Sequence, residues 1–497
     1  MKSCQCSPLI LDHHGVDCNF STWSIRREED KWLLTTNEHT NFTPYTGIII
    51  HNHCPYDYCR IDADSLTFHL ETPDDQCAFN RSGVLCGACQ ANLSQVFGTS
   101  KCRECSNIMI ISVIPATILL GIVLVALLMI LNLTVSTGTV NALIFYANII
   151  RASQAVFFSP EMSRSFLNTL SVFIAWLNLD LGIETCFYDG LDAYAKTWLQ
   201  FVFPLYIWLT VITIIVASHY SSTASKLFGN NAVQVLATLF LLSYAKIIRV
   251  VIIAFSFTVL VYPDGYEKKV WLLDGNIEYF KGKHIPLFIA SLLMFLLLSA
   301  PYTLTLVSIH WLQRFSHYRV LFWVHRLMPL FDAYTGPHKH KHRYWTGVLL
   351  MFRVAILVIF SLNQTNNPVV NLLTVVTMSF TILVYFSYTG VYKSQLHNLL
   401  EIMSILNLGL FSIATFYGLL TNGKQITIAY ISTSVTFILF IIIILYHSVW
   451  RILQFKKRIQ VLLNNQENHQ GKISGCIHGS TDLKNPLLLD VDFVRSS

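Results

Sequence analysis

Charge is what this chain has least of. Only 12% of its 497 residues are Asp, Glu, Lys or Arg, against about 25% in an ordinary soluble domain. With 53% hydrophobic residues and a mean hydropathy of +0.51, the composition excludes a typical soluble globule. The net charge of +6 is not gathered into any run that reads as a nucleic-acid surface. Long internal repeats are absent. So are the short motifs that carry catalysis: there is no Walker loop, HExxH, GxSxG or dinucleotide fingerprint. These absences set the expectations: no enzyme, no cofactor, no resident metal and no nucleic acid, with the lipid bilayer as the chief partner.

Cysteine is nearly missing from most of the chain. Beyond residue 106 there are only Cys186 and Cys476. Ten others crowd the start: Cys4, Cys6, Cys18, Cys54, Cys59, Cys77, Cys86, Cys89, Cys102 and Cys105. A dense, even set in a short segment reads as a disulfide framework in an oxidising compartment. The same segment holds glycosylation sequons at Asn19, Asn41, Asn80 and Asn92. The rival reading is zinc, because Cys86, Cys89, Cys102 and Cys105 have ribbon-like spacing. The sequons and the six further cysteines favour disulfides. Residues 1–106 are therefore expected to form a small extracellular head, partly β because SLTFHLE at 65–71 alternates like a strand. MKSCQCSPLILDHHG has no long apolar core, so it is not a signal peptide. Either the first span carries the head across, or Met1 is not the true start. Lys101 and Arg103, just before that span, argue mildly for the opposite orientation.

What the chain has in abundance is long apolar runs. A span needs about 17–25 such residues. Eight runs qualify: 107–131, 197–218, 231–262, 285–309, 345–362, 369–388, 397–420 and 425–450. A ninth, 166–186, is weaker. NALIFYANII at 141–150 is too short to cross and reads as interfacial or re-entrant. Loop 310–344 carries Arg314, Arg319, Arg326, Lys339, Lys341 and Arg343 against a lone Asp332, and the tail begins RILQFKKR. Both should face the cytoplasm. With the head outside, an odd number of spans must precede residue 310; the clear runs give four, so 166–186, second in chain order, is needed to make five there and nine in all. The expected fold is an all-α polytopic membrane protein of about nine helices at 107–450. The N-terminus is outside, and the cytoplasmic tail at 451–497 is basic and then disordered.

Several charges lie within these runs, where they should not meet lipid. Asp180 and Glu184 share a helix face at i, i+4, as do Lys246 and Arg249 at i, i+3. Arg353 and Glu401 fall in later spans. One reading is structural: the acids pair with Lys246 or Arg249, and Glu401 with Arg353, to fix helix register. The other is that these groups line an aqueous path or ligand pocket. Pro115, Pro204 and Pro301 can kink their spans. The HKHKHRYW cluster at 338–345 is expected to touch lipid headgroups rather than to hold a metal.

Certain stretches carry a resemblance. CPYDYC at 54–59, NRSGVLCGAC at 80–89, FGTSKCREC at 97–105, GTVNALIFYANII, AWLNLDLGIETCFYDGLDAYAKTWLQFVFPLYIW and LFDAYTGPHKHKHRYWTG resemble a largely uncharacterised invertebrate family. Its members place a cysteine-rich ectodomain, often much longer, before a multi-span block. The architecture is more distantly similar to the TRP-like, flavin-carrier group of fungi, with no pore or cofactor residue matched. Neither resemblance supplies functional residues. The expectation is a channel- or transporter-like protein for an unknown ion or small ligand, with the head as sensor. The alternative is a non-enzymatic receptor or adhesion protein. Homo-oligomerisation is left open.

Overall fold

The computed structural model describes residues 72–157 except 98, then 174, 178–179, 186–220, 231–315 except 262–265, 322–362, 368–420, 433–449 and 452–453, together with short strands and segments between 17 and 69. Asp180 and Glu184 lie outside the described residues.

Beyond residue 108 the described residues are mainly a helical bundle. Its helices are α1 (Met109–Leu131), α2 (Thr139–Phe157), α3 (Ala193–Tyr220), α4 (Asn231–Phe255), α5 (His284–Met294), α6 (Ala300–Phe315), α7 (Phe322–Thr335), α8 (Trp345–Leu362), α9 (Pro368–Thr389) and α10 (Gln395–Leu420). A further apolar helix, α11, covers Thr433–Val449. A π-helical turn, Phe295–Ser299, joins α5 to α6 without a break. Among the described residues, six helical segments are long and apolar enough to cross a membrane: 110–137, 193–218, 232–255, 284–312, 340–359 and 395–413. Two more, 373–389 and 433–449, are apolar but shorter. This is a membrane protein built of helices, because a bilayer satisfies no backbone polar group and a helix satisfies its own.

Side-chain contacts define two ends. At the head end, Cys105 is disulfide-bonded to Cys186, and the Trp271 indole donates to the Ile253 carbonyl at 2.8 Å. At the opposite end the Val135 amide donates to Thr238 Oγ1 at 3.0 Å, and Gly138 abuts His397. From there α2 and α10 rise side by side until Tyr146 bonds Asn407.

Two expectations need correction. The segment 141–150 is not a short interfacial helix. It belongs to α2, 19 residues long, or about 28 Å at 1.5 Å per residue. Residues 140–150 of α2 are buried throughout, packed against α4, α8, α10 and α11. Enclosed by protein, α2 tolerates Asn141 and Asn148, which a lipid-facing helix would not. Secondly, the run 231–262 is not one helix. It stops at Phe255, and Phe257–Val261 opens a three-stranded antiparallel sheet with Glu267–Trp271 and Asp274–Glu278.

The head is small and β-rich. Trp32–Thr36 pairs with Gly47–His51, and Thr67–His69 lies within the stretch that alternates in the sequence. Gln76 braces Leu33, donating to its carbonyl at 2.6 Å and accepting from its amide at 3.0 Å. Disulfides join Cys77 to Cys86 and Cys89 to Cys102, and Cys59 is also bonded. All four cysteines of the zinc-like spacing are thus in disulfides. The fourth, Cys105, pairs with Cys186 rather than with another of the ten head cysteines. The head core also extends past residue 106: Trp32, Tyr58 and Leu85 pack in one cluster with Leu260 and Val270 of the sheet. Of the remaining candidates, no side-chain placement is described for Cys4, Cys6, Cys18 and Cys54.

Candidate functional site

The densest buried polar chemistry lies around α2. Arg353 on α8 and Glu401 on α10 are 1% and 0% exposed. The Arg353 guanidinium sits 5.3 Å from the centre of the Phe145 ring, close enough for a cation–π contact. Its electrostatic neighbours are Tyr302, Glu401, Tyr244 and Tyr392. Yet Arg353 Nε and Nη1 have no hydrogen-bond partner, and neither does Glu401 Oε1. The other carboxylate oxygen accepts from the Tyr392 hydroxyl at 3.4 Å. Arg353 and Glu401 are therefore electrostatic neighbours without an ion pair, which differs from the register-fixing pair expected from the sequence. Leaving such atoms unmade in a core costs about 1–3 kcal/mol each, more when charged.

A line of polar groups extends from this point both ways. Toward the end far from the head, Tyr392 packs on His338 with ring centres 4.6 Å apart. His338 Nε2 lies 3.0 Å from Thr346 Oγ1, and Asn141 donates to the same oxygen at 3.4 Å. His338 is outside the spans. Burial, reinforced by His342, Lys393 and His397, pushes its pKa down to about 3 and keeps it neutral. Toward the head, Tyr146 meets Asn407, Thr433 and Thr436. Two residues on, Asn148 is 2% exposed with both side-chain polar atoms unpartnered. Asn178 donates to the Ala147 and Ile174 carbonyls at 3.4 and 2.7 Å. Lys246, 5% exposed, donates to the Leu179 carbonyl at 2.7 Å. Arg249 is half-buried one turn further along α4. Beside this line, a pocket of about 230 Å³ opens at the π-helical turn, with Tyr244, Ser299 and Tyr302 among its lining residues.

A second polar node fastens the head to the bundle. Arg81, fully buried, donates to the carbonyls of Cys86 at 2.9 Å, Ser100 at 3.1 Å and Gly87 at 3.4 Å. Its guanidinium stacks 3.6 Å over the Tyr58 ring. Desolvation lowers the Arg81 pKa and raises that of Tyr58. The sheet turn Asp274–Asn276 presses against this node. A methyl group on Gly87 would meet Asp274 Cα at 2.7 Å, and one on Gly275 would meet the Val84 carbonyl oxygen at 2.8 Å. Only glycine on both sides permits so close a backbone approach. Asp274 is 7% exposed, and burial raises its carboxyl above the usual range. The Leu191 carbonyl and Gly190 amide bond to Gln95 and Ser94 of the head at 2.9 and 2.8 Å.

Arg353, Glu401 and Lys246 were legible as charges in apolar runs, and the structure buries all three. Tyr392, Asn148, Arg81 and Asp274 were missed. Asn141 and Asn148, at i, i+7, were the available signal for a polar face on α2. Asn80 and Asn92 are exposed; no side-chain placement is described for Asn19 and Asn41.

Fold and site together define a polytopic helical membrane protein with a disulfide-bonded, extracellular-type head locked onto one end. No family model, curated protein or solved structure matches the chain.

Proposed function

We propose that this is a channel- or transporter-like membrane protein whose path follows the polar line beside α2, with the head as sensor or gate. The carrying observation is the buried Arg353 and Glu401, close enough to feel each other but unpaired, each with hydrogen-bonding atoms left open. A register-fixing pair would close those atoms on each other. Groups that meet a passing species must keep them open. Charge inside a membrane is costly and marks such routes.

On this reading the chain crosses nine times: α1, α2, α3, α4, the joined α5–α6, α8, α9, α10 and α11. Five crossings precede residue 310, so the head is outside while the basic 310–344 segment and the tail are inside. The parity inferred from charge is kept, but α2 takes the place of 166–186 as the second crossing, the one that brings the number before residue 310 to five. The partners are the bilayer and a small ion or ligand, and no chemistry is catalysed.

The second reading is a non-enzymatic receptor. The glycine-tight contact between head and sheet favours it, because such a dock transmits movement. Flux through proteoliposomes holding the full chain separates the two. Passage of Na⁺, K⁺, Cl⁻ or H⁺ above empty vesicles, reduced by Arg353→Met, supports the path. Tight vesicles across voltages, lipids and pH favour the receptor.

A further inference from the structure

Resting on that transport reading, we propose that the species carried is the proton and that Glu401 binds it in transit. The first argument is packing. Tyr146, Arg353, Tyr392 and Glu401 are each no more than 1% exposed, so a hydrated ion has no bore at this point. A proton needs none, since it moves along hydrogen-bonded groups and single waters.

The second argument is the arrangement of donors and acceptors. Glu401 Oε2 is held by Tyr392, while Oε1 is empty. The Nε and Nη1 of its electrostatic neighbour Arg353 are also free, and they can only donate. A water placed there would accept from the guanidinium and donate to Oε1, meeting the polar requirement for a buried water. Arginine does not give up its proton. It therefore fixes the water and balances the carboxylate, and the titrating carrier is Glu401.

The third argument is access. His397 stands one turn before Glu401 on α10, against Gly138 at the end far from the head. His338 and Tyr392 stack beside it. His397 is the imidazole at this mouth and the group there that can take up and pass on a proton, while His338 stays neutral and packs the Tyr392 ring in place. Onward along α2, buried Asn148 keeps both side-chain polar atoms unpartnered.

The step balances simply. A proton leaves a hydronium or imidazolium, an O–H bond forms at Glu401 Oε1, and the carboxylate becomes a neutral acid. Release breaks that bond and restores the carboxylate; nothing is oxidised or reduced. The charged group facing Glu401 is Arg353 from α8, with the Tyr392, Tyr244 and Tyr302 hydroxyls around the pair.

The test uses the full chain in proteoliposomes with a pH-sensitive dye trapped inside and a potassium gradient, clamped by valinomycin, as the driving voltage. The wild type is expected to pass protons. Glu401→Gln should lower that flux about tenfold or more, the scale of a lost proton-transfer group. Glu401→Asp should retain it, and Tyr392→Phe, which keeps the ring packing, should reduce it. Intact Cys105–Cys186 linkage and monodisperse elution check folding; if Glu401→Gln fails them, Tyr392→Phe decides. Sodium, chloride and valinomycin-free potassium flux are read in parallel. Flux of one of these ions unchanged by Glu401→Gln overturns the proton assignment and leaves transport standing. Wild-type vesicles tight to every species overturn both.

Discussion

Arg81 and Asp274 were beyond the reach of sequence reading for a shared reason: burial of a charge is a tertiary fact. Arg81 sits inside the NRS sequon, where a solvated side chain is the natural expectation, yet it is caged by three carbonyls and a tyrosine ring. Arg81→Met strands those carbonyls and should destabilise the head by about 3 kcal/mol or more, at about 1–3 kcal/mol for each buried orphan. Arg81→Lys should rescue little, because an ammonium cannot present the planar fork. Thermal unfolding of the purified chain, followed by head-specific proteolysis, reads both. Asp274 gives a pH prediction. Its folded pKa is raised by burial, with Asp192 adding to the rise and Asn276 and Arg81 opposing it. A carboxyl raised on folding contributes most below its unfolded pKa and loses that contribution as pH rises through the folded value. Docking of the 274–276 turn should therefore tighten on acidification. Hydrogen exchange across that turn should show more protection at acidic than at neutral pH, and Asp274→Asn should remove the difference.

Among the helices, hydropathy found what faces lipid and missed what faces protein. Helix α1 reads plainly because it is peripheral: Ile111 and Leu119 are 72% and 63% exposed, so its sequence must be apolar all round. Helix α2 is enclosed, can carry Asn141, Asn148 and Arg151, and so falls below the threshold for a span. The end of α4 was misread because FTVLV continues the apolar run, and only its pairing with Glu267–Trp271 makes it a strand. Contact between α8 and α6 supplies the test at this scale. A methyl group on Gly347 would meet the Val307 nitrogen at 2.5 Å and the Leu306 carbonyl carbon at 2.6 Å. Backbone atoms cannot rotate away, so Gly347→Ala should push the helices apart and cost about 1–3 kcal/mol, as overpacking does. A lower aggregation temperature in detergent than that of Gly409→Ala, where the added methyl meets nothing within 4 Å, would bear this out. Equal temperatures would count against the packing described.

At the scale of the whole molecule, charge and cysteine patterns carried the plan: apolar runs made the bundle, and early cysteines made the head. Which residues meet across the bundle was hidden, since Tyr392, Glu401, Arg353 and Asn148 come from separate segments. The proposed orientation predicts a glycan at exposed Asn92, lost in Asn92→Gln, and none at Asn132. A C-terminal epitope should stay hidden from antibody in intact cells; labelling there would reverse the orientation. The central claim is that Arg353 and Glu401 form a path rather than a brace, and a double-mutant cycle addresses it directly. Arg353→Met and Glu401→Gln are made singly and together, and surface expression and proteoliposome flux are both measured. Each single variant leaves one charge buried and uncompensated, at a cost of about 3–5 kcal/mol where the removed partner had balanced it, so expression should fall. The double variant should recover expression and yet pass nothing. A double variant that both reaches the surface and conducts like the wild type would contradict the account.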